Sequence, residues 1–316
     1  MNERETEPIY RAASLYYVQG ETMAKIARQL GVSRPTVSRL LAQARSTGLV
    51  RITLAEPARR SPLTESLERI FDVRAHVVGI RPGASEPYRL DQVARAAARL
   101  VSEAATDANV IGLAWGTTLA AVVPHLARRP MPGTTVVQLN GGANLSSTGI
   151  FHVGSLVQAT ADAFGSQVVL FPVPAFFDYA STKAAMWRER SVQHVLQLQQ
   201  RIDLALFGVG AVAGTLPSHV YSGGYLDDED MAQLRAERVV GDVCTVFLRE
   251  DGSYADIPLN ERATGLTPAE LQRIPRRICV AAGTAKAAAV AGALRARVAT
   301  DLVIDDATAR ELLNRL

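Results

Sequence analysis

Residues 31–41, GVSRPTVSRLL, predict a tight turn followed by a short helix. Gly31 can adopt a positive φ without steric cost, and Ser33 is a favourable N-cap whose hydroxyl can accept from the first helical amides. Pro35 fits the first helical turn, where its missing N–H has no intrahelical partner to lose. We therefore expect the helix to begin at Arg34.

The two faces of this predicted helix differ in polarity. Val37, Leu40 and Leu41 recur at i, i+3 and i+4, which indicates a buried stripe. The outer face would present a short polar and cationic set, namely Arg34, Thr36, Ser38 and Arg39, and Pro35 in the first turn is a further candidate for DNA contact. Residues 22–30 carry an apolar stripe of their own, so the pattern predicts helix, tight turn, helix.

Residues 22–52, TMAKIARQLGVSRPTVSRLLAQARSTGLVRI, resemble the helix-turn-helix of sugar-responsive bacterial regulators of the SorC/DeoR type. In such motifs the second helix lies in the major groove with its N-terminal residues at base edges. The resemblance implies binding to double-stranded operator DNA. Lys25, Arg45 and Arg51 are candidates for phosphate contacts, or else ordinary solvated charges. A three-helix domain that contacts only proteins would contain a similar turn.

Length and composition are those of a globular protein with two domains. The chain has 316 residues, of which 48% are hydrophobic and 21% charged. The sequence shows no apolar run of membrane-spanning length, and the charged N-terminus does not resemble a signal peptide, so we expect a cytoplasmic protein without membrane contact. Cys244 and Cys279 lie in apolar runs that predict buried strands, so we expect no disulfide between them. We also expect no metal or cofactor.

The charge is distributed unevenly along the chain. Residues 1–62 contain ten cationic and five acidic side chains, a net +5, whereas the whole chain carries +3. The remainder is therefore close to −2. A basic segment at one end favours a polyanionic partner there. The alternative is that arginine is simply common in this sequence.

The sequence divides into three segments. We predict a helix-turn-helix domain at residues 1–54, with a first helix at 5–18 and a β wing at 49–54. Residues 55–62, AEPARRSP, contain two prolines and no apolar periodicity, which indicates a linker. Residues 63–316 would form an effector-binding and oligomerisation domain.

The long segment alternates between short apolar runs and amphipathic helical stretches. This alternation predicts an α/β fold with a mostly parallel sheet covered on both faces. The predicted strands are residues 76–80, 110–114, 134–139, 167–171, 204–209, 243–248, 278–282 and 302–304. The predicted helices are residues 90–105, 117–126, 153–164, 192–201, 227–237 and 286–297, after a connecting helix that starts at residue 63.

Ligands of such sheets bind at the carboxyl ends of strands. The loop Gly116, Thr117, Thr118 follows one strand and opens a helix, where backbone amides and hydroxyls favour an anion, although an ordinary helix cap would look the same. Lys286 lies in the first turn of a later helix. The macrodipole disfavours a cation there unless an anion is present, so the position favours phosphate over a solvated lysine.

Three further loops carry groups suited to a sugar. Asn140 and Asp242 offer donors and acceptors for hydroxyl groups, while Gly141, Gly142 and Gly208 would allow close approach of the backbone. Each of these signals is also common in ordinary turns.

The resemblance to the SorC family extends through the second domain. It is carried, in order, by LAWGTT (113–118), VVQLNGG (136–142), GVGAV (208–212), GDVCTVF (241–247), VAAGTAKAAAVAGAL (280–294) and DLVIDDATARELL (301–313). It implies a fold similar to ribose-phosphate isomerases and glucosamine-phosphate deaminases. It also implies a sugar-phosphate effector, with Gly116, Thr117, Thr118 and Lys286 at the phosphate and Asn140 and Asp242 nearer the sugar. The family's usual AGG before the lysine is AGT here.

An alternative is a sugar-phosphate isomerase or deaminase that carries a DNA-binding segment. Such chemistry needs a general base near the phosphate. The candidates, Asp178, Asp256, Glu261, His152 and His219, show no spacing typical of an acid/base pair, and a Schiff base on Lys183 is a remote option. We predict no catalytic residues. We expect a regulator that binds a partly palindromic operator as a homo-oligomer, a dimer or tetramer.

Overall fold

The computed structural model describes residues 3–50, 61–107, 109–142, 148–213 and 218–316. The chain divides into two compact units, residues 1–59 and 60–316. Arg51, the wing residues 51–54 and most of the predicted linker, residues 55–60, lie outside the described ranges.

The described residues of the first unit form three helices, α1 (Glu3–Ala13), α2 (Met23–Leu30) and α3 (Arg34–Ser46), with a π-helical turn at Ser14–Val18 after α1. Gly31 ends α2 with φ +66°, in the left-handed region that favours glycine. The Ser33 hydroxyl accepts from the Thr36 amide at 3.3 Å and caps α3. The helix therefore begins at Arg34, as the capping residues predict.

The apolar stripes of these helices meet in one small core. It contains Ile9, Ala12, Ala13, Ile26, Ala27, Val37, Leu41 and Ala44. Leu40 is only partly buried beside it. The helix-turn-helix is thus held by packing on one side, which leaves the opposite side of α3 free to face a partner.

The second unit is an α/β domain. Its strands are β1 (Arg74–Val78), β2 (Val110–Leu113), β3 (Thr135–Gln138), β4 (Gln167–Val169), β5 (Leu204–Gly208), β6 (Gly210–Ala211), β7 (Val239–Val243), β8 (Val246–Arg249), β9 (Arg276–Ala281) and β10 (Asp301–Asp305). Its helices are α4 (Pro62–Phe71), α5 (Glu86–Ala104), α6 (Thr117–Val122), α7 (Thr148–Phe164), α8 (Ala180–Met186), α9 (Arg190–Gln199), α10 (His219–Ser222), α11 (Asp228–Ala236), α12 (Pro268–Leu271), α13 (Ala287–Arg295) and α14 (Asp306–Asn314).

Seven strands form a parallel sheet in the order β1-β10-β9-β5-β2-β3-β4. From β2 the chain proceeds outward to β3 and β4, and then returns to place β5 on the other side of β2. Two clusters of buried hydrophobic side chains pack against the sheet. The strand order reverses between β2 and β5, and in open α/β sheets this is where ligands bind.

The prediction of one strand at residues 243–248 is wrong. The structure has an antiparallel hairpin there, in which β7 pairs with β8 and also with β6. Cys244 and Thr245 form the turn with φ of +50° and +68°, a left-handed conformation that the sequence does not signal with Gly or Asn. Gly241 and Asp242, expected in a loop, consequently lie within β7.

Two boundaries also differ from the predictions. Ser61 caps α4 and Pro62 is its first residue, so the helix begins within the segment expected to be linker. Lys286 lies in a 3₁₀ turn, Thr284–Lys286, that immediately precedes α13. Within the described ranges, the helices include none with the length and hydrophobicity needed to cross a membrane.

Candidate functional site

The outer face of α3 presents most of the predicted DNA-reading side chains. Arg34, Pro35, Ser38 and Arg39 are exposed, whereas Thr36 is partly buried. The Thr36 hydroxyl lies 2.8 Å from the Ser33 Oγ, so it is engaged in the helix cap. Neither arginine forms an ion pair with another described residue, which leaves both guanidinium groups available to an anionic partner.

The candidate phosphate contacts around this face differ in their environments. Lys25 pairs with Glu21 at 2.5 Å within the same segment, which offsets its charge. Arg45 is exposed in the last turn of α3. Arg45 is therefore the better placed of the two for a phosphate.

In the second unit, a cleft opens at the carboxyl ends of β2, β3, β5 and β9. Seven of the nine predicted effector-binding residues line this cleft, namely Gly116, Thr117, Thr118, Asn140, Gly208, Asp242 and Lys286. They come from five segments separated by up to 170 positions in the sequence. The strand reversal brings them together, because β2 and β5 are neighbours in the sheet.

Lys286 contributes the cation of the cleft. Its Nζ donates to the Thr118 Oγ1 at 3.3 Å, and it forms no ion pair with any residue in the described part of the chain. Burial lowers the pKa of the Lys286 ammonium, and the nearby carboxylates of Asp242 and Glu86 oppose that shift. A partly buried cation without a paired carboxylate is suited to bind an anion.

Asp242 contributes a buried carboxylate. Its Oδ2 accepts from the Thr245 amide at 3.2 Å, and the buried Tyr221 hydroxyl interacts with the same carboxylate. Burial raises its pKa to about 6, against the opposing effects of Tyr221, Thr245 and Lys286. A Cβ on Gly210 would lie 1.9 Å from Oδ1, so only glycine permits this packing.

Asn140 also lines the cleft. The residue is 2% exposed. Within the described ranges, the cleft therefore contains a buried amide oxygen, Asn140 Oδ1, that accepts no hydrogen bond. Buried polar atoms are nearly always paired, so a ligand that donates hydrogen bonds is expected here.

Gly141 and Gly142 do not line the cleft. A Cβ on Gly141 would lie 2.1 Å from the Pro174 carbonyl oxygen, so this glycine is required for packing. Its own carbonyl accepts from the Trp115 Nε1 at 2.9 Å. Gly142 lies beside a separate apolar pocket that also includes Val153. Gly141 is therefore connected to the cleft through Trp115, which lines it.

A buried carboxylate fixes the loop that carries Lys286. Asp305, at the end of β10, accepts from the Gly283 amide at 3.1 Å and from Arg89 at 2.6 Å. The same carboxylate caps α14 through the Thr308 amide at 3.0 Å. Asp305 thus connects the loop that carries Lys286 to α5 and α14. The sequence pair Asp305-Asp306 gave no indication of this role.

Aromatic side chains at the cleft were not predicted as part of the site. Trp115 stacks on Tyr225 with ring centroids 5.1 Å apart, and His219 packs edge-on to Trp115 at 6.4 Å. Trp115 could have been suggested by its position beside Gly116. His219 and Tyr225 lie in and after α10, a four-residue helix with no sequence pattern that links it to the cleft. Cys244 also lines the cleft, from the hairpin turn.

The candidate catalytic bases whose side chains are described do not come together. Asp178, Asp256 and Glu261 are outside the cleft, whereas His219 lines it. Lys183 lies over the Trp187 ring on α8, 5.4 Å from its centroid, and is not in the cleft. The side chain of His152 is outside the described set.

Both units resemble known proteins. A sugar-binding domain model matches residues 56–314, and a homeodomain-like domain model matches residues 9–51. The chain is 31% identical to a deoxyribonucleoside regulator of Bacillus subtilis strain 168, and the match covers 100% of both sequences.

Two solved structures extend this similarity to the fold. The full-length sorbitol operon regulator SorC from Klebsiella pneumoniae matches with a TM-score of 0.84 and 27% identity, covering 99% of this chain and 100% of that one. A domain of a possible sugar-binding transcriptional regulator from Arthrobacter aurescens TC1 matches with a TM-score of 0.76 and 47% identity, covering 82% and 100%. The similarities thus include a DNA-binding and a sugar-binding domain.

Proposed function

The chain belongs to the SorC/DeoR-type family of sugar-binding transcriptional regulators, and on that premise we propose that its effector is a phosphorylated sugar bound in the cleft around Lys286. It is a sugar-responsive DNA-binding regulator. The observation that carries the proposal is the partly buried ammonium of Lys286, which donates to Thr118 and forms no ion pair within the described residues.

We assign the phosphate to the end of the cleft that contains Lys286. A phosphate there would accept from the ammonium and from the hydroxyls of Thr117 and Thr118, beside the amides at the start of α6. It would also restore the charge state that burial disfavours for Lys286. Gly116, with φ +135°, gives the backbone a turn that leaves space for the anion.

The sugar would extend from this phosphate toward Asn140 and Asp242. Their side-chain oxygens can accept from sugar hydroxyls, and Trp115 offers an apolar surface to the ring or chain. Asp242 and Asn140 would therefore determine which sugar is recognised, while Lys286 would supply most of the affinity.

Regulation requires that the effector bind two conformational states of the protein unequally. We propose that operator DNA binds the outer face of α3, with Arg34 and Arg39 as its main contacts. One short helix reads few base pairs, so we further propose a homo-oligomer on a partly palindromic site, acting in the cytoplasm. The named relatives are regulators, and we propose that the cleft binds its ligand without turnover.

A thermal-shift screen of the full-length protein tests the proposal. The panel contains glucose 6-phosphate, fructose 6-phosphate, ribose 5-phosphate and 2-deoxyribose 5-phosphate, with the free sugars and inorganic phosphate as controls. A ligand stabilises the state that it binds, so at least one sugar phosphate should raise the Tm well above its free sugar. If the free sugars and their phosphates give equal shifts, the phosphate assignment is wrong. Conversion of a bound compound would support an enzyme instead.

A further inference from the structure

We propose that Asp305 is a positioning residue of the cleft, whose carboxylate holds the turn that carries Lys286 and thereby sets how tightly the effector binds. The inference rests on the proposed function, because Lys286 is the group that we assign to the effector. Asp305 lies outside the set of described residues that line the cleft. Its effect on the ligand would therefore run through the backbone of the turn.

Asp305 lies beside the point at which the chain leaves β9. The strands β9 and β10 are parallel neighbours, and their paired residues end at the same edge of the sheet. Asp305 is the last residue of β10, and the turn Thr284–Lys286 begins shortly after β9. The Asp305 Oδ2 accepts from the Gly283 amide at 3.1 Å. The carboxylate thus contacts the residue that directly precedes the turn.

The turn itself is short and depends on its surroundings. Its own hydrogen bond runs from the Lys286 amide to the Gly283 carbonyl at 3.0 Å. A 3₁₀ turn of three residues has little stability alone, so contacts with neighbouring elements determine its position. That position matters because the Lys286 Nζ donates to the Thr118 Oγ1 at 3.3 Å inside the cleft.

Two helices fix the carboxylate that holds the turn. Asp305 is fully buried, and its Oδ1 accepts from the amides of Ala307 and Thr308 at the start of α14. The same oxygen accepts from Arg89 on α5 at 2.6 Å. Charge-assisted hydrogen bonds of this kind are strong and directional when buried. The Gly283 amide is therefore bonded to an acceptor whose place is determined by α5 and α14.

Asp305→Asn separates the contact with the turn from the cap of α14. Asn is a favourable N-cap, and the orientation that keeps its oxygen for α14 and Arg89 directs the NH₂ group at the Gly283 amide, from which it cannot accept. Calorimetry with each of the four sugar phosphates of the thermal-shift panel should show about a tenfold loss of affinity. Asp306→Asn is the matched control, because this adjacent carboxylate accepts from the Ile80 amide and from Arg310.

Two further measurements distinguish positioning from a general loss of stability. Hydrogen exchange should become faster at the amides of Gly283 and Lys286 in Asp305→Asn, while the amides within β9 keep their wild-type protection. In a Lys286→Ala background, Asp305→Asn should change the affinity by less than about twofold, because its effect runs through the lysine.

Gly283→Ala disturbs the same contact from the other side and applies also if Asp305→Asn does not fold. Gly283 has φ +104°, a conformation that residues with a Cβ rarely adopt, so the substitution strains the turn and leaves Asp305 in place. It should lower the affinity to a similar extent. Wild-type affinity in Gly283→Ala would overturn the proposal.

The remaining outcomes separate this proposal from the proposed function. Wild-type affinity in Asp305→Asn would overturn the positioning role, as would an equal loss of affinity in the Lys286→Ala background, since Asp305 would then act on the fold and not on the lysine. If no sugar phosphate binds wild-type protein, the proposed function fails. Hydrogen exchange then decides whether Asp305 holds the turn, and unchanged exchange at the Gly283 amide in Asp305→Asn would overturn that claim as well.

Discussion

The outer face of α3 and the cleft around Lys286 use charge in opposite ways. Arg34 and Arg39 are exposed on a helix whose opposite side packs into the core of the first unit, so water solvates both groups, which we propose contact operator DNA. Lys286 is partly buried and Asp242 is buried, and burial disfavours the charged form of each. The first surface can change its sequence at little cost to folding. Burying the charged forms of Lys286 and Asp242 lowers the stability of the folded protein, and such unfavourable charges are typical of binding sites.

Removing the cleft's cation should have the largest effect. In Lys286→Ala the affinity for the sugar phosphate should fall about 100-fold or more, roughly 3 kcal/mol, because the charge-assisted hydrogen bond to phosphate is lost. Operator affinity without ligand should be unchanged. Calorimetry and fluorescence anisotropy measure the two properties. Lys183→Ala, a lysine on α8 outside the cleft, is the control and should retain the full ligand response.

The buried carboxylate should limit stability in a pH-dependent way. Burial raises the pKa of Asp242 to about 6, because the folded protein favours the neutral carboxyl group. The folded state is therefore most stable relative to the unfolded state at low pH, and it loses this stability as the pH rises through 6 and the group ionises. Asp242→Asn should therefore be more stable than wild type at pH 7.5 by about 2 kcal/mol, and the advantage should disappear near pH 4.

Chemical denaturation of the ligand-free protein at several pH values measures this difference. Asp162→Asn, which changes an exposed carboxylate on α7, serves as the control and should show no such trend. An Asp242→Asn variant that is less stable than wild type at pH 7.5 would mean that the carboxylate contributes a structural interaction rather than a cost.

Removing a cation from the α3 face should leave the fold intact. Arg39→Ala should weaken operator binding by about 1–3 kcal/mol if the guanidinium makes a bidentate contact with guanine. The Tm should remain unchanged because Arg39 is exposed and unpaired among the described residues. Gel shifts at fixed salt are the measurement, with Arg188→Ala in the second unit as the control. Equal affinity of Arg39→Ala and wild type would remove Arg39 from the reading face.

The helix cap should give the smallest effect. Ser33→Ala removes the acceptor for the Thr36 amide and should destabilise the first unit by about 1 kcal/mol. It also frees the Thr36 hydroxyl from its contact with Ser33. Ser38→Ala, in the interior of the same helix, should be neutral or slightly stabilising. Hydrogen exchange of the α3 amides distinguishes the two variants. Similar protection in both would show that the cap contributes little.

Features that depend on neighbouring residues could be predicted from the sequence. The start of α3 follows from Gly31, Ser33 and Pro35, which lie within five residues of one another and act locally. The sequence also predicted that Asn140 and Lys286 lie at the carboxyl ends of parallel strands, because each follows an apolar run within a few residues. Signals of this kind depend only on the neighbouring sequence.

The β7–β8 hairpin and the position of His219 at the cleft could not be predicted, because both are determined by tertiary structure. Cys244 and Thr245 adopt left-handed conformations that neither residue type favours, so the apolar run concealed a turn. His219 reaches the cleft from a helix of four residues, and Asp305 acts through Gly283, 22 positions earlier in the chain. Local patterns carry no information about such long-range contacts.

The central claim is that a ligand in the cleft controls the DNA contacts of α3. Fluorescence anisotropy on duplexes selected from a random pool by the full-length protein tests it directly, with each of the four sugar phosphates of the thermal-shift panel added in turn. We predict that at least one changes the operator Kd of wild type about fivefold or more, a coupling of roughly 1 kcal/mol, and changes that of Lys286→Ala not at all. The same response in both proteins, or a constant Kd with every sugar phosphate, would contradict the account.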